Sequence, residues 1–282
     1  MANVYRAILR AREDMTEWLI HFTRAGGGTD ARGVLLKILA EGALRPGRAV
    51  RGGRPTIYGP QPAVCFSEQP LGAFLTYVDA RAGDRFGPSS YGVLVHKHDA
   101  YVEGALPVIY GLNGAEEMDL DHPDYLAGAR QLLPECVPLD EQHRYVAFAP
   151  NRDPHPLDWS HEREWRWTPA GYSIEGCFAL GGSGTAGGRG MSNGRCHVFV
   201  ERDQDVEWLH AQLPVALAAA AADDAEGRMA GYRRAWWRNA VGEARVFSLE
   251  TARRRLNENQ RAYYRVETWP ENARPYLVEE QE

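Results

Sequence analysis

Two glutamates two residues apart, Glu162 and Glu164, stand in the stretch DWSHEREWRW (158–167), flanked by Arg163 and Arg166 and by Trp159, Trp165 and Trp167. On a strand, alternate residues face the same side. Glu162, Glu164 and Arg166 would then point one way, and Arg163, Trp165 and Trp167 the other. With the indoles in the core, both carboxylates would line a cleft. Carboxylates that close favour each other's protonated form, so one could stay protonated or act as a base. The plainer alternative is that the glutamates pair with Arg163, Arg166 or arginines of a neighbouring strand, as charges on an exposed strand face commonly do.

Other segments put small polar or ionisable groups beside aromatic residues. HFT places His21 and Thr23 on one side of a strand and Phe22 on the other. CFSE places Cys65 and Ser67 together, with Phe66 and Glu68 opposite. In HKHDAYVEG, a strand would align His96 and His98 as ligands of one metal, with Glu103 beyond them, as in a cupin-type site. No second motif with a later histidine follows. Asp119, Asp121 and Asp124 lack the glycine and distant glutamate of an EF-hand loop, so they read as a solvated loop. The glycine-rich run 181–195 lacks the Lys-Ser/Thr end of a phosphate loop and reads as a linker or lid.

The elements that must position these residues follow from periodicity. Residues 3–16 have helical spacing, and 17–23 have strand character. A helix is expected from the caps Thr29 and Asp30 to Gly42, with Val34, Leu35, Ile38 and Leu39 on one face. Residues 45–62, rich in Arg, Gly and Pro, read as an irregular loop. Strands are expected at 63–68, 91–98, 106–111, 163–168 and 195–202. A short helix follows Pro70, and another lies around 122–134. Beyond residue 203 the chain reads as helical, with one strand at ARVFSLE (244–250).

The chain has 282 residues, 44% of them hydrophobic and a quarter charged, as in an ordinary globular protein. A net charge of −6 argues against generic nucleic-acid binding. Two local basic runs, Arg45/Arg48/Arg51/Arg54 and Arg253–Arg255, read as a solvated loop and a solvated helix face. YRRAWWRNA (232–240) could stack on bases or dock a partner through Trp236 and Trp237, or could pack the tail onto the domain. Four cysteines without a CxxC spacing fit reduced thiols, the N-terminus has no apolar signal region, and the apolar run 213–222 is too short for a bilayer. A cytoplasmic protein without membrane partners is expected.

Six blocks in order, LIHFTR, LLKILAEGAL, AVCFSEQPL, YGVLVHK, GALPVIY and HEREWRW, resemble the bacterial abortive-infection family known as AbiGi antitoxin. More distantly they resemble a domain-of-unknown-function group and the DarT-type proteins. The match spans about residues 18–168. This resemblance implies an α+β fold of the ADP-ribosyltransferase type, with mixed, mainly antiparallel sheets and flanking helices. It would occupy residues 1–202, and a mainly helical extension, 203–282, would pack on it.

The resemblance also implies NAD as substrate, with no metal, in phage defence or a toxin–antitoxin system. His21 and Thr23 would lie on NAD, Ser67 would support the nicotinamide pocket, Glu164 would be the catalytic carboxylate and Glu162 its E-x-E partner. The sequence has no S-T-S triplet, only Phe66-Ser67-Glu68. The acceptor would be a protein, a nucleic acid or a small molecule, and the partner a cognate toxin or antitoxin. Two other readings stand beside it: a non-catalytic interaction protein, and the cupin-type metal enzyme.

Overall fold

The computed structural model describes residues 14–51, 53–83, 87–111, 117–153, 157–169, 176–180, 195–223, 245–258 and 274–275. Numbered in chain order, the strands of its eight-stranded sheet run from edge to edge as β14 (Arg274–Pro275), β13 (Arg245–Ser248), β12 (Cys196–Val200), β6 (Gly92–His96), β1 (Trp18–Phe22), β5 (Val64–Ser67), β10 (Glu164–Trp167) and β7 (Leu106–Pro107). Every neighbouring pair is antiparallel except β12 and β13. The fold is therefore mixed, with a mainly antiparallel sheet and flanking helices.

Helices cover both faces. On one face, Leu19, Val64, Phe66, Val93, Val95, Trp167 and Val198 pack with Leu35 and Leu39 of α1 (Ala31–Glu41) and with Leu209 and Leu213 of α4 (Asp203–Asp223). On the other, Ile20, Leu94, Phe199 and Phe247 meet Phe74, Leu75 and Val78 of α2 (Leu71–Ala80) and Leu249 and Ala252 of α5 (Leu249–Glu258). Burial on both faces explains why the central strands GVLVH and CHVFV read as near-continuous apolar runs.

The expected α1 is present with its caps. The Asp30 side chain accepts from the Gly33 N–H, and Gly42 closes the helix in the left-handed region at φ 66°. Strand 91–98 stops at His96 and continues as α3 (Lys97–Val102). The expected 106–111 strand is split into β7 and β8 (Ile109–Gly111), and β8 pairs in parallel with β9 (Tyr145–Ala147).

The loop 45–62 holds a small hairpin, β3 (Val50–Arg51) with β4 (Arg54–Pro55), while β2 (Ala43–Leu44) pairs with β11 (Phe178–Ala179). Residues 122–134 form turns, not the expected helix; Gln131 bonds there to the Leu126 N–H and the Asp124 carbonyl. After residue 202 the described residues are mainly helical, and β13 also joins the sheet beside β12, so the sheet runs across that position. Residues 3–13, the 181–194 part of the glycine-rich run and Trp236–Trp237 lie outside the described residues. No helix among the described residues is long and apolar enough to cross a membrane.

One junction sets a pH dependence. His197 on β12 lies 4.5 Å from the Trp18 ring, and its Nδ1 accepts from the Arg245 N–H at 3.1 Å. Burial, helped by the Arg245 charge, lowers its pKa from 6.5 to about 4. Burial also lowers His21 and His143. The unfolded imidazoles bind protons more readily, so this stabilisation is complete above 6.5 and is lost as pH falls towards about 4. Melting temperature should drop between about pH 7.5 and about pH 5. An unchanged value across that window would contradict the assignment.

Candidate functional site

The strands that carry HFT, CFSE and REWRW lie side by side as β1, β5 and β10. In register, Ile20, Ser67 and Glu164 stand level across the three. Trp165 and Trp167 pack on the face with Phe66, as expected; Cys65, Ser67, Glu164 and Arg166 share the opposite face.

The glutamate pair does not run along one strand. Strand β10 begins at Glu164, and Glu162 ends a short 3₁₀ turn, Ser160–Glu162. Arg163 between them is the one non-glycine residue with positive φ among the described residues, at φ 46°. This conformation is uncommon outside glycine, asparagine and aspartate, and it persists only where the surroundings enforce it. They do so here, because three successive residues at the end of β5 hold three successive carbonyls of the turn. Gln69 Nε2 donates to the His161 carbonyl at 2.8 Å, Ser67 Oγ to that of Glu162 at 2.6 Å, and the Glu68 N–H to that of Arg163 at 3.0 Å.

The two carboxylates have different surroundings. Glu164 receives both Arg166 Nε at 2.9 Å and Arg166 Nη2 at 2.8 Å, a bidentate pair with side chains only 13% and 5% exposed. Arg166 also donates to the His143 carbonyl, and Tyr110 Oη accepts the Glu164 N–H. Burial opposes the arginine's charge, but the Glu164 carboxylate outweighs it and raises the Arg166 pKa. Burial, and then the Glu164 charge, push the Cys65 thiol far above its usual range.

Glu162 has a lighter set of partners. Its Oε1 accepts from Tyr77 Oη of α2 at 3.0 Å, and Arg81 Nη1 donates to the same Tyr77 oxygen at 3.1 Å. Among the described residues no cation lies within ion-pair distance of Glu162. Burial and the Glu162 charge raise the Tyr77 pKa, so its hydroxyl stays a donor. The rings of Tyr77, His161 and Trp159 follow one another beside Glu162, at 5.7 and 6.1 Å.

No protein-family model, curated protein or solved structure matches this chain.

Of the other expected site residues, His21 and Thr23 do not join the carboxylates. His21 points to the opposite face of the sheet, where its Nδ1–H donates to the Cys65 carbonyl at 2.9 Å and its ring meets Phe66. His21 is one position on from Ile20, which is level with Glu164, so alternation turns it to the other face. Thr23 is buried beyond the far end of β1, and its hydroxyl is shared between the Ala31 and Tyr91 carbonyls. Ser67 does join the site, but it holds the Glu162 turn and does not present a free hydroxyl.

The two histidines of the metal reading are parted by the end of β6. His96 caps α3, its Nδ1 accepting the His98 N–H, while His98 faces Asp99 at 3.5 Å. Among the described residues no group of three or more His, Cys, Asp or Glu is placed to hold a metal. The basic loop is largely engaged internally: Arg45 with Glu41, Arg48 with the Gly59 and Pro60 carbonyls, and Arg54 with Glu117. Arg253 pairs with Asp79.

Tyr77, Arg81, Gln69 and Tyr110 were not legible as site residues. Only the helical spacing of Tyr77 and Arg81 behind the Pro70 turn signalled any of them.

Proposed function

We propose that the end of the sheet at Glu162 and Glu164 is a NAD cleft of an ADP-ribosyltransferase-like fold. The chain would transfer ADP-ribose from NAD, or hydrolyse NAD, in a bacterial phage-defence or toxin–antitoxin setting of the AbiGi type. The observation that carries this reading is the convergence at one sheet end. Strands β1, β5 and β10 are neighbours, and Ser67, Glu68 and Gln69 lock a strained turn that delivers a carboxylate beside an aromatic row.

Such a carboxylate serves the chemistry of the N-glycosidic bond. The bond between ribose C1′ and the nicotinamide nitrogen breaks, and nicotinamide leaves with the electron pair. The ribose becomes cation-like, and a fixed carboxylate bonded to its 2′-hydroxyl stabilises that charge. Water or an acceptor nucleophile then bonds to C1′ and gives up its proton to a base. His21 and Thr23 are not part of this contact set, because they lie away from the carboxylates.

Release of nicotinamide from NAD by the purified chain tests the proposal. Release above the no-protein blank is the expected result, and none at any NAD concentration would overturn it. The second reading, a non-catalytic interaction protein, rests on the neutralisation of Glu164 by Arg166. NAD binding without nicotinamide release would favour it.

A further inference from the structure

We infer that Glu162, not Glu164, is the carboxylate that meets the reacting ribose, and that Glu164 is a positioning residue which anchors the strand behind it. This rests on the NAD reading above and divides the pair in the reverse of what its sequence pattern implies. The argument starts from charge. A carboxylate can stabilise a developing cation only with charge that is not already spent on another cation. Both oxygens of Glu164 are taken by one guanidinium, in a pair that is almost wholly out of water. Turning Glu164 towards a ligand would leave Arg166 buried and unpaired, which the site cannot readily accommodate.

Glu162 faces no such constraint. It is half-buried, and among the described residues no cation pairs with it and its one side-chain bond is to a hydroxyl. Each carboxylate oxygen can accept two hydrogen bonds, so the Tyr77 contact leaves room for a ribose hydroxyl. The turn that carries it is firmly secured. Three carbonyls in a row are fixed from β5, and the Arg163 backbone is held in a strained conformation. Strain maintained by neighbouring bonds marks positions where orientation serves a purpose. Tyr77 and Arg81 on α2 then act as positioning residues that set the direction of the Glu162 carboxylate.

The decisive experiment compares kcat for nicotinamide release, with melting temperature measured on the same samples. Three full-length variants are needed: Glu162→Gln, Glu162→Asp and the double variant Glu164→Gln/Arg166→Met. The double variant removes both charges together, so no buried ion is stranded. Glu162→Gln should lower kcat by about a hundredfold or more with an unchanged melting temperature, a loss typical of removing one group that stabilises transition-state charge. Glu162→Asp should recover part of that loss, and the double variant should lose less than Glu162→Gln.

Wild-type turnover by Glu162→Gln, or a greater loss in the double variant, would overturn this assignment while leaving the NAD reading intact. Should the double variant not fold, the Glu162 pair alone decides: partial recovery by Asp supports the assignment, and full activity of Gln overturns it. A wild-type chain that releases no nicotinamide removes the NAD reading and this assignment together.

Discussion

Arg166→Ala is expected to destabilise the fold by about 3–5 kcal/mol, because it breaks a buried ion pair from one side. Arg166 is 4% exposed, and its guanidinium serves four acceptors: both oxygens of Glu164 and the carbonyls of His143 and Tyr145. Removing it strands the Glu164 carboxylate beside the Cys65 thiol and Tyr110, where no second cation is in reach among the described residues. It also frees the 143–145 segment from β10. Removing both charges is a different experiment, since replacing a whole buried pair by apolar groups is often close to neutral. Denaturant titration of the single and the double variant measures the contrast. A midpoint for Arg166→Ala equal to that of the wild type would show that the pair is not the anchor described here.

The second large effect lies at the centre of the sheet. Gly92 opens β6 between Phe22 of β1 and Phe199 of β12. A Cβ at this position would stand 2.3 Å from the His21 carbonyl oxygen and 2.6 Å from Phe199 Cζ. One obstacle is backbone in a paired strand, and the other is a ring that is 1% exposed, packed on Phe74 and close to Phe247. Neither can move far in an interior of crystal-like packing density. Gly92→Ala is therefore expected at or above the upper end of overpacking penalties, about 3 kcal/mol. The check is a lowered denaturation midpoint with an unaltered slope. A stable Gly92→Ala variant would contradict the packing described for β6.

The parts that were legible in the sequence share a local cause. Asp30 and Gly42 bound α1 through their own side-chain and backbone chemistry, and Trp165 and Trp167 mark the core face of β10 through alternation alone. What was not legible depends on contacts between distant segments. The left-handed Arg163 follows from bonds made by Ser67, Glu68 and Gln69, about ninety-five positions away. That kink changes the meaning of the E-x-E spacing, because it takes Glu162 off the strand on which alternation would have placed it. The break after His96 is a case of the same kind: YGVLVHKH reads as one strand, yet the chain turns into α3 with His96 as its cap. His21 shows that a strand can be placed correctly while the side facing the site is not, since facing depends on the register with β5.

Calorimetric titration of the purified chain with NAD asks whether the carboxylate end of β5 and β10 receives it, as proposed. Saturable binding at one site per chain is expected, reduced by a Glu162→Gln change less than turnover is. A wild-type titration that shows no heat beyond dilution would contradict it.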